Sequence, residues 1–474
     1  MGCEINVMEE KIANKHALVI GDVMIDEYHY CRTERKTPEG PFLVWDLERL
    51  ERRLGGAGNI AHNIRTLGAR VTLAGVALND EIERLAAENG IECFFARDGR
   101  ETTIKRRFFD IETKALLARE DIESRKPLPK DAAEFLARQL KKNDYDVIVF
   151  SDYAKGVFNR ETVDVLTNIK GRVRIADTKP QNAELFKGKV NVIKMNFREF
   201  KQFMERYGAV ITNTDTDIIT AGRLARESLK TDLLITRSEQ GMTYIGREIH
   251  HMKAEAKEVV DIIGAGDIVS AVFAAALASG LSLPNALHVA NVAASIKVTK
   301  HGSSLVNFDE IKSAILREEG KIVKDNVLKE IVARNRAAGK KIVFTNGCFD
   351  VLHHGHIHLL KRAKEFGDVL IVGLNSDDSV RRIKGTTRPR IPEHGRAEVL
   401  AALPFIDYIV IFNTDTPEYL IEIIKPDVYV KGKDYKIEKL PEAAVVARYG
   451  GRVELIELVT DGTKKISSSE IIRK

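Results

Sequence analysis

The chain has 474 residues, 44% of them hydrophobic, and its 74 basic and 69 acidic side chains leave a formal charge of +5. That length exceeds one core and calls for two or three domains. So small a positive excess, with no basic run carrying interleaved aromatics, argues against a dedicated nucleic-acid binder and leaves anionic small molecules as partners. The longest apolar run, AVFAAALASGLSL, is too short to cross a bilayer. The N-terminal MGCEINVMEEKIANK has no apolar signal core. Cys3, Cys31, Cys93 and Cys348 lie far apart without a C-x-x-C pair, the usage of a reducing compartment. A cytoplasmic protein with no membrane partner is expected.

From the N-terminus, the β-branched runs HALVI, VTLAGVA, DVIVFSD, RVRIADT, VNVIKMN and DLLITRS alternate with helical patterns such as AAEFLARQLKKN and TAGRLARESL. This alternation predicts an α/β fold with a largely parallel sheet. It continues to about residue 318, where a charged helical stretch, LREEGKIVKDNVLKEIVARNRAAGKK, intervenes. Strand signals restart with KIVFTNG, DVLIVGLNSD, YIVIF, DVYVKG and RVELIEL. The expected organisation is a domain over residues 1–318, a helical linker over 319–337 and a second α/β domain over 338–474.

In the first domain, DIIGAGDIVSAVFAAALASG (261–280) is the most informative stretch. Gly264, Ala265 and Gly266 are small enough for backbone N–H groups to close around an anion, and the following helix points its positive end there. Asp267 lies at that junction, where a carboxylate can take the proton of a hydroxyl attacking a phosphate; a plain helix cap would look the same. RRLGGAGNIAHNIRTLG brings Gly55, Gly56 and Gly58, then Asn59, to a loop able to hold a polyol, and VIGDVMIDEY offers Asp22 and Asp26 as acceptors for sugar hydroxyls. NFREF spaces Asn196 and Glu199 so that both could order water around magnesium. TTIKRRFFDIETKALLARED supplies Lys105, Arg106, Arg107 and Arg119, either an anchor for a phosphorylated sugar or a solvated strand edge.

In this order these pieces resemble the ribokinase-like carbohydrate kinases over residues 16 to 305. GDVMIDEYHY, SDYAKGV and TRSEQGMTYI are most similar to the kinase domain of heptose 7-phosphate kinases. The resemblance implies Asp267 as base, residues 264–266 as an anion hole, and Thr236, Ser238, Gly241, Gly302 and Ser303 as the ATP lining. It also implies a sugar site of Asp22, Asp26, Gly55, Gly56, Asn59, Lys105, Arg107 and Arg119. Two positions depart from the family: Ile263 stands where a threonine is usual before G-A-G-D, and DTKP replaces the usual D-P-K.

The second domain opens on KIVFTNGCFDVLHHGHIHLLKRAKEFGDVLIVGLNSDD, a strand, loop, helix and strand. Four histidines fall where the first strand ends and the helix begins, the edge at which open α/β sheets bind ligands. His354 and His358 have the i, i+4 spacing of metal ligands, with Cys348 or Asp350 as a third, but zinc needs three or four. His353 and His356 bracket Gly355 as a phosphate grip would. In that reading they donate to an α-phosphate as charge builds during an in-line displacement. SVRRIKGTTRPRIP adds Arg381, Arg382, Lys384 and Arg388; Arg396 follows on the next helix. VKGKDY adds Lys431, Gly432 and Asp434, and ISSSEII adds Ser467, Ser468 and Ser469.

These motifs resemble the cytidylyltransferase-like nucleotidyltransferases with an H-x-G-H signature, and most closely their heptose 1-phosphate adenylyltransferase branch. The resemblance places Phe349, Asp350, Asn375 and Asp377 in the same site. DGTKKISSS lacks the arginine that some relatives carry before the serines. The whole chain thus resembles the bifunctional enzymes of ADP-heptose synthesis: a ribokinase-like domain followed by a Rossmann-like nucleotidyltransferase. Expected ligands are ATP with Mg2+ and heptose phosphates; a homodimer through the kinase domain is also implied. Two alternatives stay open: another sugar phosphate or CTP as substrate, and a nucleotide sensor with one degenerate half.

Overall fold

The computed structural model describes residues 2–33, 36–40, 42–78, 80–254, 259–300, 304–318, 320–433, 440–457, 460–461 and 464–465. The chain divides between Ala314 and Ile315 into two compact units. Among the described residues no helix is long and apolar enough to cross a membrane.

The first unit is built on a nine-stranded sheet. Its centre is the parallel set Asp232–Thr236, Val192–Asn196, Gly171–Thr178, Tyr145–Asp152, His16–Gly21, Arg70–Val76 and Glu92–Ala96, in that spatial order. The β-branched runs form these strands because helices cover both faces, so whole strands are apolar; His16–Gly21 is buried at every position but the first. Two antiparallel strands, Met242–Ile245 and Ile249–Met252, finish one edge. One face packs a core of Leu18, Phe150, Ile193 and Ile235 beneath helix Lys130–Leu140.

A second, four-stranded sheet runs Asp46–Gly56, Val23–Arg32, Thr103–Asp110 and Leu116–Ile122. Here charges alternate with apolar residues, the pattern of a sheet with one wet face. Glu27 is enclosed among Arg106 at 2.7 Å and Arg52 at 2.9 Å, and despite the cost of burial these partners hold its carboxyl down at about 2. Trp45, the single tryptophan of the chain, packs its ring 5.2 Å from that of Phe108 on this sheet. Leu47, Leu50 and Leu116 remain exposed on the same sheet.

The second unit holds a six-stranded parallel sheet in the order Ile322–Val323, Tyr408–Phe412, Val369–Asn375, Ile342–Gly347, Val428–Gly432 and Arg452–Ile456. Chain order reverses at Ile342–Gly347, which pairs with Val369–Asn375 on one side and Val428–Gly432 on the other. That reversal opens a crevice at the carboxyl ends of the strands. The segment expected as a linker contributes here: Ile322–Val323 is an edge strand. Leu328, Ile331 and Val332 of helix Asp325–Ala337 pack with Phe344 and Ile371 in the core.

Candidate active sites

In the first unit, helix Ala265–Ala278 begins at the carboxyl edge of the large sheet. Gly264 precedes it with φ 76°, a left-handed conformation that favours glycine, and no side chain caps the helix. Ala265 N–H donates to the Ile262 carbonyl at 3.2 Å, so the N–H groups of Gly266 and Asp267 are the ones this helix start offers to a ligand. Asp267 sits in the first turn: its Oδ2 accepts from Asn59 Nδ2 at 2.7 Å and its Oδ1 from the Tyr153 hydroxyl at 2.5 Å. Burial, then the nearby Asp177 charge, raises the Asp267 carboxyl above the ordinary range, and the bonds from Tyr153 and Asn59 together with the Lys194 charge pull the other way. The result is a carboxylate of increased basicity that two donors hold in one orientation, as a general base requires.

The supports for Asp267 come from distant strands. Lys194, on Val192–Asn196, pairs with Asp177 Oδ2 at 2.9 Å, and Ser270 Oγ donates to the same oxygen at 2.7 Å. A Cβ on Gly266 would lie 2.8 Å from the Lys194 ammonium, so glycine lets this cation approach the helix start. Asp22 does not face outward: it accepts from the backbone N–H groups of Tyr153 at 2.7 Å, Lys155 at 3.0 Å and Val157 at 3.4 Å. It thereby fixes the loop that carries Tyr153. Burial, helped by Asp152, lifts its carboxyl to about 6.

The remaining expected sugar residues separate into two groups. Gly55 and Gly56 end strand Asp46–Gly56 against Asp26 and Asp22: added Cβ atoms would meet Asp26 Oδ2 at 2.9 Å and the Asp22 carbonyl at 2.5 Å. Lys105 points its ammonium over the Tyr153 ring, 4.8 Å from the centroid, and burial lowers its pKa. Arg107 instead pairs with Asp26 at 2.8 Å, both side chains buried, and Arg119 binds Asp121 at 2.6 Å.

On the nucleotide side, Thr236 ends its strand, and the following turn is closed by Gly241 N–H donating to the Ser238 carbonyl at 2.8 Å. Gly302 and Ser303 lie outside the described residues. Asn196 and Glu199 form a capping box on helix Phe197–Glu205, and Glu199 also takes Lys179. A carboxylate has about four acceptor positions, so Glu199 can still orient water around a cation.

In the second unit the histidines fall at the sheet's reversal point. His353 is the extended residue that precedes helix His354–Lys364, and its carbonyl accepts from His356 N–H at 2.9 Å. That turn stacks the two imidazoles with centroids 3.9 Å apart, and Phe349 meets His356 edge-on at 5.1 Å. The Nδ1 atoms of both rings are buried without a hydrogen-bond partner among the described residues. Burial, then His353 and Lys384, lowers His356 to about 4; burial and His354 lower His353. Both rings are neutral near pH 7 and can each donate one N–H to an anion. His354 is exposed and His358 half-buried.

The charged residues expected around that pair divide between ligand-facing and structural positions. Asp350, buried, accepts from Arg390 N–H at 2.5 Å and Ile391 N–H at 3.2 Å and pairs with Arg388 at 2.7 Å. Arg396, also buried, spends its guanidinium on the Cys348 and Ile391 carbonyls and on Asp377 at 2.7 Å. It fixes the loop Cys348–Phe349. Asn375 donates to Ser379 Oγ at 2.9 Å. Lys431, next to Gly432 at its strand end, reaches the Asn346 carbonyl at 3.4 Å. Lys384, at the end of helix Asp377–Lys384, is exposed and acts on His356 by charge. Asp434, Ser467, Ser468 and Ser469 lie outside the described residues.

Comparison with known proteins matches residues 14–309 to the pfkB family carbohydrate kinases and residues 344–474 to the cytidylyltransferase-like family. A bifunctional protein HldE from Paramagnetospirillum magneticum is 41% identical over 469 residues, 95% of each chain. Another, from Geobacter metallireducens, is 40% identical over 475 residues, covering 97% of this chain and 95% of the relative. The chain belongs to the HldE family of bifunctional proteins. It is a sugar kinase joined to a sugar-phosphate nucleotidyltransferase. For the first unit, phosphofructokinase-2 of Escherichia coli in complex with potassium superposes with a TM-score of 0.55 at 16% identity, over 63% of this chain and 97% of the other. A Thermotoga maritima ribokinase gives 0.50 at 19%, over 64% and 99%. At these identities the likeness is one of fold.

Within this HldE-family site, sequence reading assigned no role to Tyr153 or Lys194. Tyr153 lies in the SDYAKGV stretch, but its hydroxyl meets Asp267 across 114 positions of sequence. Lys194 reads as the one polar interruption of a buried strand. That interruption was the available signal.

Proposed function

We propose that the first unit transfers the γ-phosphoryl group of ATP to O1 of D-glycero-D-manno-heptose 7-phosphate, giving the 1,7-bisphosphate and ADP. After a separate phosphatase has removed the 7-phosphate, the second unit joins heptose 1-phosphate to the adenylyl group of ATP, giving ADP-heptose and pyrophosphate. The observation that carries this reading is the held carboxylate of Asp267 at an uncapped helix start, in a chain related end to end to HldE proteins.

In the kinase reaction Asp267 takes the proton of the attacking hydroxyl, while Asn59 and Tyr153 keep its oxygens aimed and the backbone N–H groups of Gly264 and Gly266 receive the phosphoryl oxygens, that of Ala265 being held by the Ile262 carbonyl. Lys105 is the cation best positioned for the sugar phosphate, because Arg107 and Arg119 are engaged by Asp26 and Asp121. Mg2+ bound with ATP would spread the phosphate charge, with Asn196 and Glu199 ordering its water. In the adenylyl transfer His353 and His356 donate to the α-phosphate, and Lys384 and Lys431 attract the other phosphates, while Arg388 is engaged by Asp350. The same reading makes the protein a cytoplasmic homodimer through the kinase unit, a role supported by Leu47, Leu50 and Leu116 exposed on the small sheet.

The test is incubation of the full chain with ATP and heptose 7-phosphate, phosphatase treatment, and product NMR. Appearance of the 1,7-bisphosphate and then ADP-heptose is expected. Inactivity on heptose phosphates alongside turnover of another sugar phosphate, or preference for CTP, would overturn the substrate assignment.

A further inference from the structure

Lys297 is the last residue of helix Leu283–Lys297, which is otherwise mostly apolar. Its side chain is 1% exposed, and its ammonium has no hydrogen-bond partner among the described residues. Interiors do not ordinarily keep such a group: an unpaired buried cation is costly, and a methionine or leucine of similar length would pack there without that cost. Burial accordingly lowers its pKa, opposed by the charges of Asp261 and Asp267 and reinforced by Lys300 and Arg53.

Its position points to what the cation is for. The Val298 carbonyl accepts from Val260 N–H at 2.7 Å and Asp261 N–H at 3.1 Å, which stitches the loop leading to Gly264 onto the end of the Lys297 helix. A Cβ on Gly264 would sit 3.7 Å from Lys297 Cε. The uncapped start of helix Ala265–Ala278 is therefore flanked by two buried lysines. Lys194, beside Gly266, is already committed to Asp177 at 2.9 Å. Lys297, beside Gly264, has no hydrogen-bond partner at its ammonium among the described residues. Asp267 in the same turn repels an incoming phosphate, and a second fixed cation beside the helix start offsets that repulsion.

We propose that Lys297 is a phosphate-binding residue of the kinase site, holding its ammonium for the terminal phosphoryl group of a nucleoside triphosphate. This rests on the kinase reading above. It extends that site to a helix that carries none of the residues assigned to it.

The experiment uses the full chain with Lys297→Met and Lys297→Arg, and reads three quantities. The first is kcat/KM for ATP in heptose 7-phosphate phosphorylation, with adenylyl transfer by the same chain as the measure of enzyme concentration. The second is amide hydrogen exchange over residues 260–268 with ATP or ADP. The third is the melting temperature without ligand. The methionine variant should lose roughly 10²-fold in kcat/KM, the size expected for one lost donor to a reacting oxyanion, and the arginine variant should recover part of it. In the parent, ATP should slow exchange of this loop more than ADP does; in the methionine variant that difference should vanish. Melting without ligand should hold or rise, which a structural lysine would not allow. Methionine-variant turnover within threefold of the parent, or an unchanged ATP-over-ADP difference in exchange, would overturn the proposal. If the parent fails to phosphorylate heptose 7-phosphate, the substrate reading falls, and the exchange comparison alone decides the role of Lys297.

Discussion

The two proposed catalytic centres would solve the same problem, a phosphate at a helix start, with opposite electrostatics. In the kinase unit the key group is a carboxylate whose proton affinity burial has raised, fastened by Asn59 and Tyr153 and surrounded by lysines. In the transferase unit the key groups are two neutral imidazoles, stacked and without a hydrogen-bond partner at Nδ1 among the described residues, with their proton affinity reduced. The difference follows from the chemistry each supports. A hydroxyl nucleophile has a proton to lose and calls for a base, whereas attack by a sugar phosphate on an α-phosphate calls for donors that brace developing charge.

The largest separation of the two halves is expected from Asp267→Asn, which removes the base but keeps the shape. Phosphorylation should fall by roughly 10²–10⁴-fold, while adenylyl transfer measured on the same sample stays within twofold. His356→Ala should do the reverse, lowering adenylyl transfer by roughly 10²–10³-fold and sparing the kinase. A single substitution that silenced both activities in a folded chain would show that the centres are not independent. Tyr153→Phe is a smaller perturbation: one hydrogen bond to a charged oxygen, worth about 1.5 kcal/mol, should cost about tenfold in kinase kcat. It should also move the acid limb of the pH–rate profile upward, because the lost bond is one that lowers the Asp267 pKa. An unmoved profile would mean that the hydroxyl does not act on that carboxylate.

The smallest expected effects are opposite in sign and sharpen the comparison further. Asp22 is raised from 3.8 to about 6, so its contribution to kinase-unit stability is fully present below 3.8 and is lost as pH rises through about 6. His356 is lowered from 6.5 to about 4, so its contribution to the transferase unit is present above 6.5 and is lost as pH falls through about 4. Melting curves of Asp22→Asn and His356→Ala against the parent, across pH 4 to 7, should isolate the two slopes. Slopes of the same sign would contradict the assigned environments.

Much of this was legible in the sequence wherever chemistry is written locally. Gly264 to Asp267 and His353 to His356 are short stretches in which loop, helix start and reacting groups are consecutive, and the alternating β-branched runs announced both parallel sheets. Long-range partners were not legible. Asp22 and Asp26 read as acceptors suited to sugar hydroxyls, yet one folds onto three backbone amides and the other onto Arg107, because each is buried beside donors that lie far away in sequence. Arg396 carried the look of a phosphate contact but braces Cys348 and Asp377. Lys297 gave no signal beyond a charge at the end of an apolar helix, the commonest place for a harmless lysine.

Trp45 packs on Phe108 in the small sheet of the kinase unit, and the chain has no other tryptophan. The molecule therefore carries a built-in optical reporter confined to one of its two halves. Fluorescence excited at the indole band should follow sugar capture and unfolding in the kinase unit alone, while circular dichroism averages over both. The lag between the two signals in one titration would time the halves separately, without a label and without cutting the chain.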